Sequence, residues 1–519
     1  MRVVDAEVEV LIVGGGPVGL TARALLERWG VQVLLVERHR ELSPFPRSRL
    51  VNVRSMEIFR RLGLAARIRA AGFAPEYGRV RFRDTLYDRD FAGEAMVGVA
   101  APVPESPEFG VLTSQDRLEP ILLAAPGAPV RFGVEVVDVA EEHDGVLATL
   151  VDHGRDAELR VRARYLLGAD GANSTVRQAS GIGTTGPGAL GPFTTVVFDA
   201  DLRWCAEQPA GVYLTAHGTF APLYPEGGWA WFGSTPATAE PTDWAEVVAR
   251  ALGPAADVKA EVLRVQPWVM NAFVAERFRH GRILLAGDAA HALPIFGGLG
   301  MNTGLADVHN LCWKLAGVLH GWADPVLVES YETERLPVAH RTLRQAVANT
   351  RLLIDVQNRR RERLDAGVAP TDAVELPWSE QYFAQLGLVL GATYRSGAVR
   401  SDGEAAPEPS DADTNYVPGA EPGRRMPHLW LEDGRSTLDA VGECFALLTP
   451  DPVRWEQRAS VAHPLRIETL PDEHRELCGL GADGAVLVRP DGHVAARWRD
   501  GAGGGTTVGD TLATITGRG

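Results

Sequence analysis

The stretch GRILLAGDAAHALPIFGGLGMNTGLADVHNLCWKLA occupies residues 281 to 316. It predicts a short buried strand over 282–286, a turn through Gly287 and Asp288, a glycine-rich loop over 297–304, and a helix over 302–319. A glycine loop that opens a helix brings backbone N–H groups and the positive end of the helix dipole against a flat or negative group. An aspartate that follows a strand stands where hydroxyl-bearing ligands are held. The stretch is therefore a candidate ligand site, and a tight structural connection is the alternative.

Composition excludes several classes of protein. The 519 residues suffice for two or three domains, and 45% apolar with 23% charged residues is typical of a globular protein. Because 67 acidic residues outnumber 52 Lys and Arg, for a net charge of -15, we expect neither nucleic acid nor a membrane as partner. No run approaches the ~18 apolar residues that span a bilayer. The cysteines, Cys205, Cys312, Cys444 and Cys478, are scattered, so we expect no metal site and a reducing, cytoplasmic location.

A second glycine motif lies near the amino terminus. Val8 to Val13 is a β-rich apolar run, and GGGPVG follows it directly at 14–19, before a helix predicted over Thr21 to Trp29. The next apolar run ends in Glu37, 18 residues after the last of these glycines. This is the dinucleotide-binding fingerprint, in which glycines admit a pyrophosphate and the acid binds ribose hydroxyls. An acid favours NAD or FAD over NADP, and the residues alone do not separate the first two.

The segment after this fingerprint contains three arginines, Arg47, Arg49 and Arg54. The planar guanidinium group suits a diphosphate, and we expect at least one of the three to be an ordinary surface charge.

Strand, aspartate and glycine turn recur in the middle of the chain. A strand predicted over 160–167 ends in GADGANSTVR, where Asp170 follows the strand and Ser174 is placed to cap a short helix. The spacing G-x-G-x-x-G also occurs at 181–186, but no β-run precedes it, so we expect a loop there.

The remaining segments predict a sheet, helices and a separate tail. Residues 76–110 predict a loop or edge hairpin, and the aromatic, β-rich pieces over 193–235 predict an antiparallel sheet inserted between the two halves of the nucleotide-binding region. Residues 325–353 predict a helix kinked at Pro337. The tail contains a hairpin about residues 490–492 but no C-x-x-C motif, so packing or homodimer contacts are expected there rather than redox chemistry.

Three motifs in this order, GGGPVG with Glu37, GADGANSTVR and GDAAHALPIFGGLGMNTG, closely resemble those of the class A flavoprotein monooxygenases, the p-hydroxybenzoate hydroxylase superfamily. The resemblance covers residues 5 to about 345. It implies an α/β protein with a Rossmann-like FAD-binding domain, an inserted antiparallel β-sheet substrate domain, and a thioredoxin-like C-terminal α/β domain like that of aromatic polyketide and phenol hydroxylases. The expected boundaries are 1–185 and 276–402 for the FAD-binding domain with its connecting helices, 186–275 for the substrate domain, 403–424 for a linker and 425–519 for the C-terminal domain.

The resemblance also implies FAD as cofactor and assigns site residues. Those expected to bind FAD are Gly14, Gly16, Pro17, Val18, Gly19, Glu37, Arg38, Arg47, Gln115, Asp170, Asp288, Gly298, Leu299, Gly300, Met301 and Asn302. Those expected to bind substrate are Tyr224, Trp231, Pro294, Ile295 and Phe296. Many family members have a proline where this chain has Ile295, so the analogy is weakest there. His291 is expected to be a hydrogen-bonded structural residue, and no catalytic residue is assigned.

The implied activity is hydroxylation of a phenolic ring by O2 through a flavin C4a-hydroperoxide, with NADPH or NADH as the transient reductant. A polycyclic natural product of the polyketide type, as in antibiotic biosynthesis, is the favoured substrate. Two alternatives stay open. One is a Baeyer–Villiger or other oxidative tailoring reaction on the same fold, and the other is a flavin-binding protein that sequesters a reactive intermediate without NAD(P)H turnover.

Overall fold

The computed structural model describes residues 4–237, 241–254, 258–366, 385–403, 414–457, 462–501 and 507–518. The elements up to residue 179 are β1 (Ala6–Val13), α1 (Pro17–Arg28), β2 (Val33–Glu37), β3 (Leu50–Val51), α2 (Val53–Arg61), α3 (Ala65–Ala70), β4 (Arg79–Phe82), β5 (Ala92–Ala95), β6 (Val111–Leu112), α4 (Gln115–Leu123), β7 (Arg131–Phe132), β8 (Val134–Glu141), β9 (Val146–Asp152), β10 (Ala157–Gly168) and α5 (Thr175–Ala179). The next are β11 (Thr184–Asp199), α6 (Arg203–Ala206), β12 (Val212–Thr215), β13 (Gly218–Tyr224), β14 (Gly227–Ser234), α7 (Trp244–Leu252), β15 (Glu261–Ala275), β16 (Arg279–His280), β17 (Ile283–Leu285), β18 (His291–Ala292), α8 (Leu299–Leu319), α9 (Val326–Asp365) and α10 (Leu386–Val389). The last are β19 (Phe445–Thr449), α11 (Pro452–Glu456), β20 (Leu465–Thr469), α12 (Arg475–Cys478), β21 (Ala485–Val488), β22 (Val494–Trp498) and α13 (Val508–Ile515).

Parallel strands in the order β17-β10-β1-β2 form the centre of the first sheet. Their apolar runs are buried, as expected for parallel strands covered on both faces. Val13 lies beside both Gly168 and Val36, and Gly168 lies beside Leu285. Because these four positions are the last or next-to-last of their strands, the motifs that follow the strands meet at one edge of the sheet.

The second sheet has the order β18-β15-β11-β14-β13-β12-β4-β5 and is antiparallel except where β12 pairs with β4. The edge hairpin predicted over 76–110 is confirmed as β4 and β5, which join this sheet. The loop predicted at 181–186 is wrong in part, because β11 begins at Thr184. Gly186, with φ of 131°, sits at a register irregularity between β11 and β15, so these glycines bend a strand.

A third sheet lies in the C-terminal part, in the order β20-β19-β21-β22. β19 and β20 are parallel, whereas β21 and β22 form the antiparallel hairpin predicted about residues 490–492. This arrangement of a parallel pair followed by a hairpin and a terminal helix is thioredoxin-like. Phe445 of β19 packs edge-on against Trp313 of α8, with ring centroids 5.7 Å apart, so this module is joined to the first sheet's helical layer by aromatic packing.

The predicted fold class is confirmed, and two helices differ from their predicted bounds. α9 continues past residue 353 to Asp365 as one helix that includes Pro337. α8 begins at Leu299 instead of residue 302. Residues 404–413 of the predicted linker lie outside the described residues. Among the described helices, none combines the length and apolar character that a membrane span requires.

Candidate active site

The glycines after β1 have different physical tasks. A Cβ on Gly14, whose φ is 111°, would stand 2.3 Å from the Ala169 carbonyl oxygen, and one on Gly19 would stand 1.9 Å from the Gly14 oxygen. These two glycines are therefore required by the packing of the chain itself. A Cβ on Gly16 would meet no atom within 4 Å. Gly16 is also the N-cap of α1, and as a glycine it has no side chain to cap the first N–H groups of the helix. The positive end of this helix therefore faces open space.

Glu37, the last residue of β2, is hydrogen-bonded to the glycine turn that follows β1. Its Oε2 accepts a hydrogen bond from the Gly15 backbone N–H at 2.7 Å, and its Oε1 accepts one from the His39 N–H at 2.9 Å. The carboxylate is thus held beside the glycine turn, where the fingerprint predicts a ribose. Arg38, the next residue, is exposed.

Asp288 and Asp170 follow neighbouring strands but are used differently. Asp170 accepts hydrogen bonds from Ser174 Oγ at 2.6 Å and the Val176 N–H at 3.0 Å, so its carboxylate braces the start of α5. Asp288 lies on a 3₁₀ turn, Gly287–Ala289, and its side chain is exposed. The space beside this edge of the first sheet, between the starts of α1 and α8, is called the groove. Surrounding protein desolvates the Asp288 carboxyl and raises its pKa, against the opposing charges of His291 and Arg47.

The start of α8 forms the next wall of the groove. Its N-cap, Gly298, has a φ of 62° and no side-chain cap, so no capping side chain satisfies the first N–H groups of the helix. Gly304 lies inside this helix, and glycine is required there because a Cβ would stand 2.7 Å from Gly287 Cα. The predicted loop over 297–304 is wrong beyond Gly298, because the chain is helical from Leu299 onward. The absence of a side chain at Gly304 lets this helix pack closely on the turn that carries Asp288.

Asn302 fastens this wall to the rest of the domain. Its Oδ1 accepts from the Asn52 N–H at 2.9 Å and Ser55 Oγ at 2.7 Å, and its Nδ2 donates to the oxygens of Leu50 and Gly298 at 2.8 and 2.7 Å. The side chain is fully engaged within the protein, so it acts as a structural link between α8 and the segment 50–55.

The three arginines after the fingerprint differ in burial and in the groups they contact. Arg47 is exposed and lies close enough to Asp288 to affect its charge. Arg54 is buried and donates to Glu57 Oε2 at 2.8 Å, so it is neither a surface charge nor a phosphate ligand. Arg49 crosses to the second sheet, where it donates to the Gly211 carbonyl at 2.8 Å.

Gln115 lies at the start of α4, beside the segment that carries Arg47. Its Oε1 accepts from the Ser48 N–H at 3.4 Å, and its Nε2 donates to Glu119 Oε1 at 2.7 Å. Burial raises the pKa of Glu119 to about 7. Glu119 is a titratable group near the groove that the sequence patterns did not single out.

Tyr224 faces a polar cluster that the sequence did not predict. Its hydroxyl donates to Asp116 Oδ2 at 2.5 Å, and the Arg117 guanidinium lies 4.3 Å from the centre of its ring. Desolvation and the bond to Asp116 raise the pKa of Tyr224 to about 12. Within the described part of the chain, Arg49 Nε and Asp116 Oδ1 are buried atoms without a hydrogen-bond partner. Because buried polar atoms are usually paired, these two suit hydrogen bonds with water or with a ligand.

Trp231 packs in the core of the second sheet, which gives no support to its predicted contact with substrate. It is buried, and its Nε1 donates to the His217 carbonyl at 3.0 Å. It packs with Phe220 and Val248 on the sheet face covered by α7. Side chains alternate along β14, so the neighbouring Ala230 lies on the opposite face. The aromatic composition of the strand did not reveal this register.

The loop before α8 carries the other predicted substrate residues. Pro294 is buried, Ile295 is 36% exposed, and Phe296 packs beside Phe82 and Leu214 of the second sheet. The Ile295 carbonyl accepts from the Gly298 N–H at 3.1 Å, which forms the turn that leads into the helix. This loop therefore spans the gap between the two sheets.

His291 is buried and its Nε2 bonds to Asp307 Oδ2 at 2.6 Å, in agreement with the structural role expected for it. Asp307 was not predicted. A charged residue on the otherwise buried face of α8 was the available signal.

A dinucleotide-type edge with two uncapped helix starts, beside a second sheet with a polar cluster, is the arrangement of a protein that binds a dinucleotide cofactor next to a second ligand. The chain belongs to the class A flavoprotein monooxygenases: residues 7–346 match the family described as FAD binding domain, and residues 420–519 match that of the aromatic-ring hydroxylase C-terminal domain. Its cofactor is FAD, and it is a flavin-dependent aromatic monooxygenase.

Relatives cover nearly the whole chain. The tetracenomycin B2 monooxygenase-dioxygenase of Streptomyces olivaceus is 35% identical over 95% of both chains. The aklavinone 12-hydroxylase of Streptomyces purpurascens is 36% identical over 95% of this chain and 96% of its own. The flavin-dependent monooxygenase PieE, solved with FAD and substrate, is 32% identical over the full length of both chains, with a TM-score of 0.90. The family resemblance of the three motifs is confirmed.

Proposed function

We propose that this protein hydroxylates a phenolic ring of a polycyclic, polyketide-type compound, with NADPH or NADH as the reductant of its FAD. The observation that carries the proposal is the cluster of Arg49, Asp116 and Tyr224, which contains two buried polar atoms without a hydrogen-bond partner among the described residues. The names of the relatives, which refer to tetracenomycin B2 and aklavinone, support the polycyclic class.

The residues of the groove fit FAD. The open space at Gly16 and the uncapped start of α1 suit a diphosphate, with Glu37 beside it for the ribose and the exposed Arg47 for charge neutralisation. Asp288, which is accessible and lacks a side-chain partner among the described residues, would accept hydrogen bonds from the ribityl hydroxyls.

The backbone N–H groups that start α8 would stabilise negative charge on the reduced ring. Bound FAD supplies the redox chemistry, by which O2 is activated and one of its oxygen atoms is transferred to the substrate.

The polar cluster would orient and activate the phenol. Since the Tyr224 hydroxyl donates its hydrogen bond to Asp116, its oxygen is left to accept a hydrogen bond from a substrate hydroxyl. The half-buried Arg49 cation, whose pKa is lowered to about 10 by desolvation, would favour the phenolate form. Phe296 and the apolar sheet face beside it would exclude water from the reacting ring.

Reductant consumption tests this proposal directly. Purified holoprotein is mixed with NADPH or NADH, with and without simple phenols and polycyclic phenols, and flavin reduction is followed by absorbance. We expect polycyclic phenols to accelerate reduction and to be hydroxylated. If no aromatic compound stimulates reduction, the hydroxylase proposal fails and sequestration of a reactive intermediate is favoured. A ring-expanded or ring-opened product would indicate the Baeyer–Villiger alternative.

Tyr224→Phe tests the substrate cluster within the same assay. It keeps the ring and removes the hydroxyl, so kcat should fall while FAD binding stays unchanged. Wild-type kcat with a phenolic substrate would contradict the role of this hydroxyl.

A further inference from the structure

Asp307 is a buried carboxylate that contacts both ends of the Asp288 turn. It lies on α8 and has no exposed surface. Its Oδ2 accepts a hydrogen bond from the Gly287 N–H at 3.1 Å and bonds to His291 Nε2 at 2.6 Å. Gly287 and His291 flank Asp288 in the sequence. The carboxylate therefore fixes the turn from behind, while Asp288 faces the groove.

The other oxygen of Asp307 is bound by Arg335 of α9. Arg335 Nε donates to Asp307 Oδ1 at 2.8 Å, and Arg335 Nη2 donates to the Thr303 carbonyl at 3.2 Å. Thr303 directly follows Asn302 near the start of α8. One buried ion pair thus connects the turn that carries Asp288 with the helix start that forms the neighbouring wall.

The same arginine reaches the C-terminal module. Arg335 Nη1 donates to Tyr394 Oη at 3.1 Å, and the Tyr394 ring stacks on His493 with centroids 4.1 Å apart. His493 lies in the turn between β21 and β22. Contacts therefore run without a break from the C-terminal hairpin to the Asp288 turn.

We propose that Asp307 is a positioning residue, which sets where Asp288 stands relative to the start of α8 and is held in place through Arg335 by the C-terminal module. This inference rests on the proposed function, in which Asp288 and that helix start bind FAD. A buried ion pair is weak evidence of a contribution to stability, because desolvation offsets most of its attraction. The placement of its partners on either side of a ligand residue is better explained by geometric control.

A second buried pair on the same two helices offers a matched control. Lys314 Nζ lies 2.7 Å from Glu334 Oε2, and both side chains are fully buried. Lys314 is also on α8, seven positions after Asp307, but the structure gives it no contact with residues 287–291 among those it describes. Its loss should affect stability alone.

The test compares Asp307→Asn, Lys314→Met and Asp288→Asn as holoproteins, by FAD dissociation constant, visible flavin spectrum and Tm. Asp307→Asn keeps the shape and removes the charge, so FAD should bind about tenfold more weakly and its spectrum should shift. Lys314→Met should lower Tm and keep the FAD dissociation constant within about twofold of wild type.

Wild-type affinity and spectrum in folded Asp307→Asn, or an equal loss of affinity in Lys314→Met, would overturn the positioning role. If Asp307→Asn does not fold, Tyr394→Phe decides the matter, because it removes only the hydroxyl that Arg335 contacts. We expect about two- to fivefold weaker FAD binding in the folded protein, and unchanged affinity would refute the link. Wild-type FAD affinity in Asp288→Asn would instead refute the proposed role of Asp288 itself.

Discussion

We expect Gly16→Ala to weaken FAD binding without destabilising the folded apoprotein. The backbone at Gly16 has φ of -75° and ψ of -176°, which alanine adopts without strain, and the added Cβ meets no protein atom within 4 Å. An alanine at a compatible site stabilises a protein by about 0.4–1 kcal/mol, because it restricts the unfolded chain. The apoprotein should therefore be as stable as wild type or slightly more so.

FAD binding should change in the opposite direction. The methyl group would occupy the space through which the diphosphate approaches the start of α1, and it would break at least one charge-assisted hydrogen bond. Such a bond is worth about 1.5–3 kcal/mol, so affinity should fall roughly 10- to 150-fold. Fluorescence titration of apoprotein with FAD measures the affinity, and urea unfolding of the same sample measures the stability.

Two other glycines provide the controls. Gly397→Ala also places a Cβ in open space but lies away from the groove motifs, and it should change neither quantity. Gly14→Ala should destabilise the apoprotein, because its Cβ would stand 2.3 Å from a carbonyl oxygen. Unchanged FAD affinity in Gly16→Ala, or lost stability without ligand, would refute the assignment of this turn to the diphosphate.

Three further predictions follow from burial. Trp231→Phe should lower the free energy of unfolding by about 1–3 kcal/mol, through loss of its bond and volume, and leave KM unchanged in steady-state assays. Cys444→Ser with Cys478→Ser should leave turnover unchanged, since burial raises the pKa of the Cys478 thiol to about 12 and keeps it protonated. The pKa of Glu119 is raised from 4.5 to about 7, so the folded state retains a proton that the unfolded state releases in this window. Stability should therefore fall from pH 4.5 to 7 by up to about 3 kcal/mol, and Glu119→Gln should flatten this slope in urea unfolding at several pH values.

Local patterns predicted the motifs that meet at one edge of the first sheet. The glycine spacing at 14–19, the acid at 37 and the strand-aspartate pairs at 170 and 288 each depend on short-range sequence, and the parallel register then brings them together. The fold class followed from the same motifs. The start of α8 was placed three residues late, because glycines usually disfavour a helix. Here Gly304 is helical because its lack of a side chain lets α8 pack closely on Gly287.

Long-range contacts explain what sequence patterns missed. Asp116 joins Tyr224 across 108 positions, and Asp307 joins Arg335 across 28, so no local periodicity reveals either pair. Trp231 and Ala230 are neighbours on a strand, and only the register of β14 decides which of them packs under α7. Polar residues that meet through the fold therefore need coordinates to be paired.

Transfer of oxygen from O2 to an aromatic ring is the central claim, and isotope labelling measures it most directly. Holoprotein is incubated with NADPH, a polycyclic phenol that stimulates flavin reduction, and oxygen gas of the heavy isotope, and the product is examined by mass spectrometry. We expect one heavy oxygen atom in a new ring hydroxyl and none from labelled water. Label from water, or consumption of reductant without any labelled product, would contradict the account.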